Sequence, residues 1–193
     1  MEIKPVENLK EFSLPLPIYQ TVHVADAVNK GEEFKILIGL DHELVDQLKK
    51  YSADESDVEL QKFTQDKKRY VVGTYEEWYS KKRTPFALIH IKTGALVALM
   101  RFGPDPLEGE VGNWHTVGWR SYKPFRGVGI MKEFSKYTFD FYLKYFPDAR
   151  FWITAKKENS GSIGLASYLG FKVDEEKSKM YEKDDALFMI KEV

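Results

Sequence analysis

The chain has 193 residues, with 29 Lys and Arg against 30 Asp and Glu and a net charge of −1. That length fits one domain, and that balance speaks against a basic nucleic-acid surface or a polybasic membrane tether. Apolar residues at 43% and charged residues at 31% fit an ordered globular chain, and the absence of cysteine excludes a disulfide scaffold, a thiol nucleophile and a Cys-ligated zinc site.

The N-terminus carries Glu2, Lys4, Glu7, Lys10 and Glu11 and no hydrophobic signal core. Apolar runs such as residues 95–100 fall far short of the ~20 residues that span a bilayer, so a cytoplasmic protein is expected. Residues 14–17 (Leu-Pro-Leu-Pro) read as extended, and β-like runs follow at 19–24 and 34–40. Asp41 is placed to cap a helix over 42–51 whose Leu44, Val45 and Leu48 share one face. After a polar loop over 52–57, Val58, Leu60 and Phe63 mark a short helical patch. Thr74 caps a helix predicted over 75–81 with Trp78 turned inward.

From Pro85 onward the pattern sharpens. Runs at 86–91 and 95–102 flank Lys92-Thr93-Gly94, a hairpin turn. An acidic loop over 103–110 holds Asp105, Glu108 and Glu110 without a base. A strand over 114–122 and a loop over 123–129 lead into a helix from Ile130, where Ile130, Phe134, Tyr137 and Phe141 recur at helical spacing. A strand over 151–155 precedes a helix over 160–169 that Gly170 stops. Runs at 171–174 and 186–191 predict a closing hairpin. Strands mixed with helices in this order predict an α+β (mixed α/β) domain.

The loop over 123–129 is the most informative stretch. A loop opening straight into a helix leaves backbone N–H groups without internal partners, and Gly127 and Gly129 allow close approach, so the junction suits a pyrophosphate. A plain tight turn gives the same pattern. No Gly-x-x-x-x-Gly-Lys-Ser/Thr segment is present, and Lys132 stands where a dinucleotide fingerprint needs its third glycine. His23, His42, His90 and His115 show no paired ligand spacing for a metal.

Two stretches together carry a family resemblance. Arg126-Gly127-Val128-Gly129-Ile130-Met131 resembles the acyl-CoA loop of the GNAT superfamily of N-acetyltransferases, and Asn159-x-x-Ser162 with Leu165 and Gly170-Phe171 resembles the segment after its fifth strand. Residues 118–133 are particularly similar to the RimJ/RimL branch, which acetylates ribosomal-protein N-termini. The resemblance covers roughly residues 86–191, an acyl-CoA-binding core within a single domain spanning 1–193; residues 1–70 do not obviously match.

The resemblance implies a mostly antiparallel, twisted sheet with helices on both faces and a splayed pair of parallel strands. Acetyl-CoA would lie in that opening, with pantetheine along Trp119 and Ser121 and the pyrophosphate on the amides of residues 126–131. Arg126 would add charge there, and Asn159 would hydrogen-bond pantetheine or cap its helix. The implied activity is acetyl transfer to a primary amine, on a small molecule or a protein N-terminus, by direct attack in a ternary complex.

A catalytic glutamate of several superfamily members falls near His115, and imidazole titrates near neutrality, so His115 is a candidate base or else a packed core histidine. Glu108 and Glu110 stand next. The superfamily's usual tyrosine acid is replaced by Ala166, and the RimL-like branch points instead to Ser162, with Tyr168 as the other choice. An inactive acyl-CoA-binding module, or a transferase for another acyl donor, are the competing functions.

Overall fold

The computed structural model describes residues 1–192. Nine strands form one sheet: β1 (Glu2–Pro5), β2 (Val22–Asn29), β3 (Glu32–Ile38), β4 (Thr84–His90), β5 (Leu96–Pro104), β6 (Trp114–Ser121), β7 (Arg150–Lys156), β8 (Lys172–Val173) and β9 (Ala186–Lys191). They lie in the order β1-β2-β3-β4-β5-β6-β7-β9-β8. β6 and β7 pair in parallel, and every other neighbouring pair is antiparallel. The expected mixed, mostly antiparallel sheet is therefore present.

Helices α1 (His42–Ala53), α2 (Val58–Phe63), α3 (Tyr75–Tyr79), α4 (Met131–Tyr145), α5 (Ser160–Tyr168) and α6 (Glu175–Ser178) complete the fold. Local chemistry sets their starts. Asp41 Oδ1 accepts from Leu44 N–H at 2.9 Å, and Thr74 and Glu77 form a reciprocal capping box on α3. Two cores sandwich the sheet. On one face, Phe134, Phe141 and Tyr142 of α4 pack with Phe86, Phe102 and Phe151. On the other, Leu44, Val45 and Leu48 of α1 join Tyr70, Tyr75 and Tyr79 over Leu37, Ala87 and Leu99. Of the predicted α4 face, Ile130, Phe134 and Phe141 are buried, while Tyr137 is half-buried and donates to Val24 O at 2.9 Å.

Several boundaries differ from the sequence pattern. The run at 19–24 becomes a strand only from Val22, because Tyr19 sits at φ 64°. That strand runs on to Asn29, where Lys30 and Gly31, both with positive φ (51° and 84°), make a two-residue hairpin turn into β3. The charged edge strand β1 and a π-helical turn at Lys68–Val72 have no clear sequence signature. The closing hairpin is a two-residue β8 joined to β9 through α6 and a 3-10 segment. Residues 1–70, outside the resemblance, supply β1–β3 to the same sheet and pack α1 and α2 on one of its faces. No helix among the described residues is long and apolar enough to cross a membrane.

Candidate active site

β6 and β7 pair at only three positions, Trp114↔Arg150, His115↔Phe151 and Thr116↔Trp152. Beyond Thr116 they part: β6 continues along β5 to Ser121↔Ala98, and β7 continues along β9. From Val117 onward the edge of β6 facing away from β5 has no strand partner among the described residues. The parting opens a cleft of about 1630 Å³ that reaches both faces of the sheet. Thr116 Oγ1 closes its apex by donating to Trp152 O at 3.2 Å.

The glycine loop and the start of α4 form one rim. Gly127 and Gly129 sit at φ 79° and 85°, a region that favours glycine. A Cβ built on either would meet nothing within 4 Å. Ile130, the residue before α4, offers no side-chain cap to the first turn, so those amides are left to an outside acceptor. A diphosphate fits a cradle of this kind.

The sequence-predicted residues divide. Trp119, Ser121, Arg126, Gly127, Met131, Asn159 and Ser162 line the cleft, while Val128, Gly129, Ile130 and His115 do not. Ile130 is buried as a core anchor. Arg126 is turned away from the cradle's open side. Its guanidinium donates to Asp57 Oδ1 and Oδ2 at 2.8 and 2.7 Å, to Glu59 at 3.0 Å and to Ser121 O at 3.1 Å. The carbonyl of Ser121, expected to serve pantetheine, is therefore already engaged. Asn159 caps α5, its Oδ1 accepting from Ser162 N–H at 3.0 Å.

His115 is misplaced for a base. Its parity on β6 points it to the α4 face, where it is 2% exposed. Nδ1 lies 2.8 Å from Tyr142 Oη and Nε2 lies 2.9 Å from Asn113 Oδ1. Burial first, then the Arg83 guanidinium, hold its pKa down at about 4. It is a satisfied core histidine. Glu108 and Glu110 also lie outside the cleft lining, and Glu110 accepts from Lys177 Nζ at 2.6 Å. Tyr168 is exposed on the outer side of α5 and outside the lining, and Ala166 is fully buried.

Sequence reasoning missed the opposite wall. Asp66 is fully buried; its Oδ1 lies 3.1 Å from Arg101 and 3.4 Å from Arg69, and its Oδ2 lies 2.6 Å from Arg120 Nε. The Arg120 N–H points out of line for a hydrogen bond. Gly118 makes room for this cluster, since a Cβ there would stand 2.7 Å from Arg101 Nη2. At the apex, Asp105 pairs with Arg83 at 3.3 Å, and its backbone takes Trp152 Nε1 at 2.9 Å and donates to Trp114 O at 2.9 Å. Tyr181 completes the wall, stacked on Phe188, which stacks in turn on Trp152. Arginines inside the apolar runs of β5 and β6 were the available signal.

A mixed sheet opened between two parallel strands, with a glycine loop and an uncapped helix at its rim, is the architecture of the CoA-dependent acetyltransferases. The chain belongs to the GNAT acetyltransferase family: the model described as "Acetyltransferase (GNAT) domain" matches residues 40–172. No curated protein sequence matches it significantly. Among solved structures it is similar to ribosomal-protein-S5-alanine acetyltransferase from Vibrio fischeri, at 12% identity and TM-score 0.61 over 86% of this chain and 96% of that one. RimJ of Mycobacterium smegmatis, in complex with CoA-disulfide, is 13% identical with TM-score 0.56, covering 82% of each chain. Spermidine N-acetyltransferase from Vibrio cholerae, in complex with CoA and spermine, is 11% identical with TM-score 0.59 over 81% of this chain and 95% of that one. The neighbours thus include the RimJ/RimL branch that the loop resembles.

Proposed function

We propose that the protein is an acetyl-CoA-dependent N-acetyltransferase that acts on a primary amine by direct attack in a ternary complex. The observation that carries this reading is the parting of β6 from β7 beside an uncapped α4 whose loop glycines leave open space. Amides of the loop and of the first α4 turn hold the diphosphate of the acyl donor. The unpartnered edge of β6 from Val117 onward aligns the donor and offers backbone hydrogen bonds to the developing oxyanion.

An aliphatic amine has a pKa of about 10 and must lose a proton before it attacks. Asp105 takes that proton, directly or through water. Among the carboxylates lining the cleft, Glu59 is held by Arg126 and Glu77 by its capping box. Among the described residues, Asp105 has the looser arginine contact, at 3.3 Å from Arg83, and it is the carboxylate whose backbone is tied to both β6 and β7. Ser162, on the first turn of α5 in the cleft wall, donates a hydrogen bond to the departing sulfur. A thiol with a pKa near about 8.5 needs little more.

Calorimetry with CoA, followed by mass analysis of products from acetyl-CoA and a panel of amines, tests the reading. Binding together with a 1:1 gain of acetyl on an amine is expected. No binding overturns it. Binding without transfer makes the protein a CoA-binding module, a reading that Ala166 in the usual tyrosine position favours. Faster transfer from another acyl-CoA changes the donor.

A further inference from the structure

The whole chain is nearly neutral, but its cleft is not. Among the described residues, five lysines and five arginines line it against Glu59, Glu77 and Asp105. Of the carboxylates just behind, Glu158 pairs with Lys62, Asp57 with Arg126, and Asp66 with the arginines of the far wall. Arg126, Lys132 and Lys156 lie on the side of the glycine loop and β7, where a phosphate-bearing donor belongs. The remainder stand on the other side, on α2, the π-helical turn, the end of α3, β5 and β6. There Arg69, Arg101 and Arg120 converge on the single carboxylate of Asp66, leaving an excess of about two positive charges in a poorly solvated place.

Crowding of this kind is unfavourable without a further anion. Burial, and after it the neighbouring Arg101, lower the pKa of Arg69 to about 10 and also lower that of Arg120. Arg101, which donates to Tyr70 Oη at 2.8 Å, is instead held up, against its burial, by Tyr70 and Asp66. The Arg69 head is the accessible member, 37% exposed and only loosely paired with Asp66 at 3.4 Å. Planar guanidiniums match carboxylate and phosphate oxygens two at a time. Asp105 stands apart at the apex, suited to a cationic ammonium group.

We propose that the acceptor is a small amine that also carries an acid group, carboxylate or phosphate, which the Arg69–Arg101–Arg120 cluster holds while its amine faces Asp105. This rests on the transferase reading and narrows its substrate class. A polyamine meets repulsion on this wall. The acidic loop over 103–110 does not reverse the charge of this wall. Glu110 is paired with Lys177, and Asp105, at 3.3 Å from Arg83, is one carboxylate at the apex, enough for a single ammonium group and too little for the several of a polyamine.

The test compares matched acceptors with acetyl-CoA and the full chain. Glycine, β-alanine and γ-aminobutyrate are set against their carboxamides, phosphoethanolamine against ethanolamine, and spermidine serves as the cationic arm. Acid-bearing amines are expected to exceed their neutral twins by about tenfold or more in kcat/KM, and the better of the two acid series identifies the acid. Arg69→Gln should abolish that preference with CoA binding by calorimetry unchanged, and Arg69→Lys should restore part of it. Equal or better use of neutral amines or spermidine overturns the inference, as does a preference that survives Arg69→Gln. CoA binding without either transfer to, or calorimetric binding of, any acid-bearing amine also overturns it. Absence of CoA binding itself fails the transferase reading, a separate and recognisable result.

Discussion

Arg126 and Asp57, 69 positions apart, form a two-pronged ion pair at 2.8 and 2.7 Å. The same carboxylate caps α2 by accepting from Leu60 N–H at 3.2 Å. One buried acid therefore ties the glycine loop to the helix that walls the other side of the cleft. Arg126→Gln should lower stability by about 1–3 kcal/mol, since it leaves a buried carboxylate without its main partner. It should also weaken CoA binding severalfold by loosening the loop. Combined with Asp57→Asn, the loss in urea unfolding should be smaller than the two single losses added together. Strict additivity would show that the pair is not coupled.

Gly127 separates two effects that usually come together. Its φ of 79° strains any L side chain, yet a Cβ there meets nothing within the free protein. Gly127→Val should reduce stability by about 1–2 kcal/mol while lowering CoA affinity about tenfold or more, because the branched side chain occupies the rim. Gly94→Val is the control. Gly94 has φ 68° and open space in the hairpin turn away from the cleft, so equal strain should leave calorimetric CoA affinity intact.

His115 is expected to govern stability rather than turnover. Folding holds its pKa at about 4, against about 6.5 in an unfolded chain. Between those values the unfolded chain binds a proton that the folded one refuses, so stability is complete above the upper value and falls as pH drops toward the lower. The linked loss is up to about 3 kcal/mol. Urea unfolding of the wild type should weaken more between pH 7 and pH 4.5 than that of His115→Gln. The acidic limb of the pH–rate profile should be the same in both proteins. A limb that disappears in the variant would return the imidazole to the reaction.

The contrast between Gly127 and His115 shows what the sequence made legible. Loop glycines, the Asn159 cap and the Gly170 stop are local signals, and each is where its spacing predicts. The orientation of β6 is not local. Adjacent strand residues face opposite sides, and only the assembled sheet decides that His115, still paired opposite Phe151 and held by Tyr142, is core, while Trp119 of the same parity lies beyond the parting and meets the cleft. Nor is the basic wall local: Asp66, Arg69, Arg101 and Arg120 come from three separate segments and look like solvated charges until the fold buries them. Arg101 in the apolar run of β5 and Arg120 near the end of β6 were the hints.

Ser162 should matter little, and measurably. It lines the cleft at the first turn of α5, and in the proposed reaction the thiolate is already a good leaving group. Ser162→Ala should reduce kcat about threefold to tenfold with KM for the acyl donor unchanged. An unaltered kcat would remove the hydroxyl from the reaction, and a loss beyond about a hundredfold would make it an essential acid.

In the proposed reaction Asp105 carries the heavier proton task. Its backbone is pinned to β6 and β7 at the apex, and Arg83 steadies its carboxylate at 3.3 Å. Replacement by asparagine keeps the size and the backbone bonds and removes the proton acceptor. Asp105→Asn should lower kcat by about a hundredfold or more near neutrality, with CoA affinity little changed. The deficit should shrink as pH rises toward the acceptor's own pKa, because the solution then supplies free amine without help from the protein. A uniform deficit at all pH values would mean that the carboxylate only orients the acceptor. Full activity in the variant would leave proton removal to water alone.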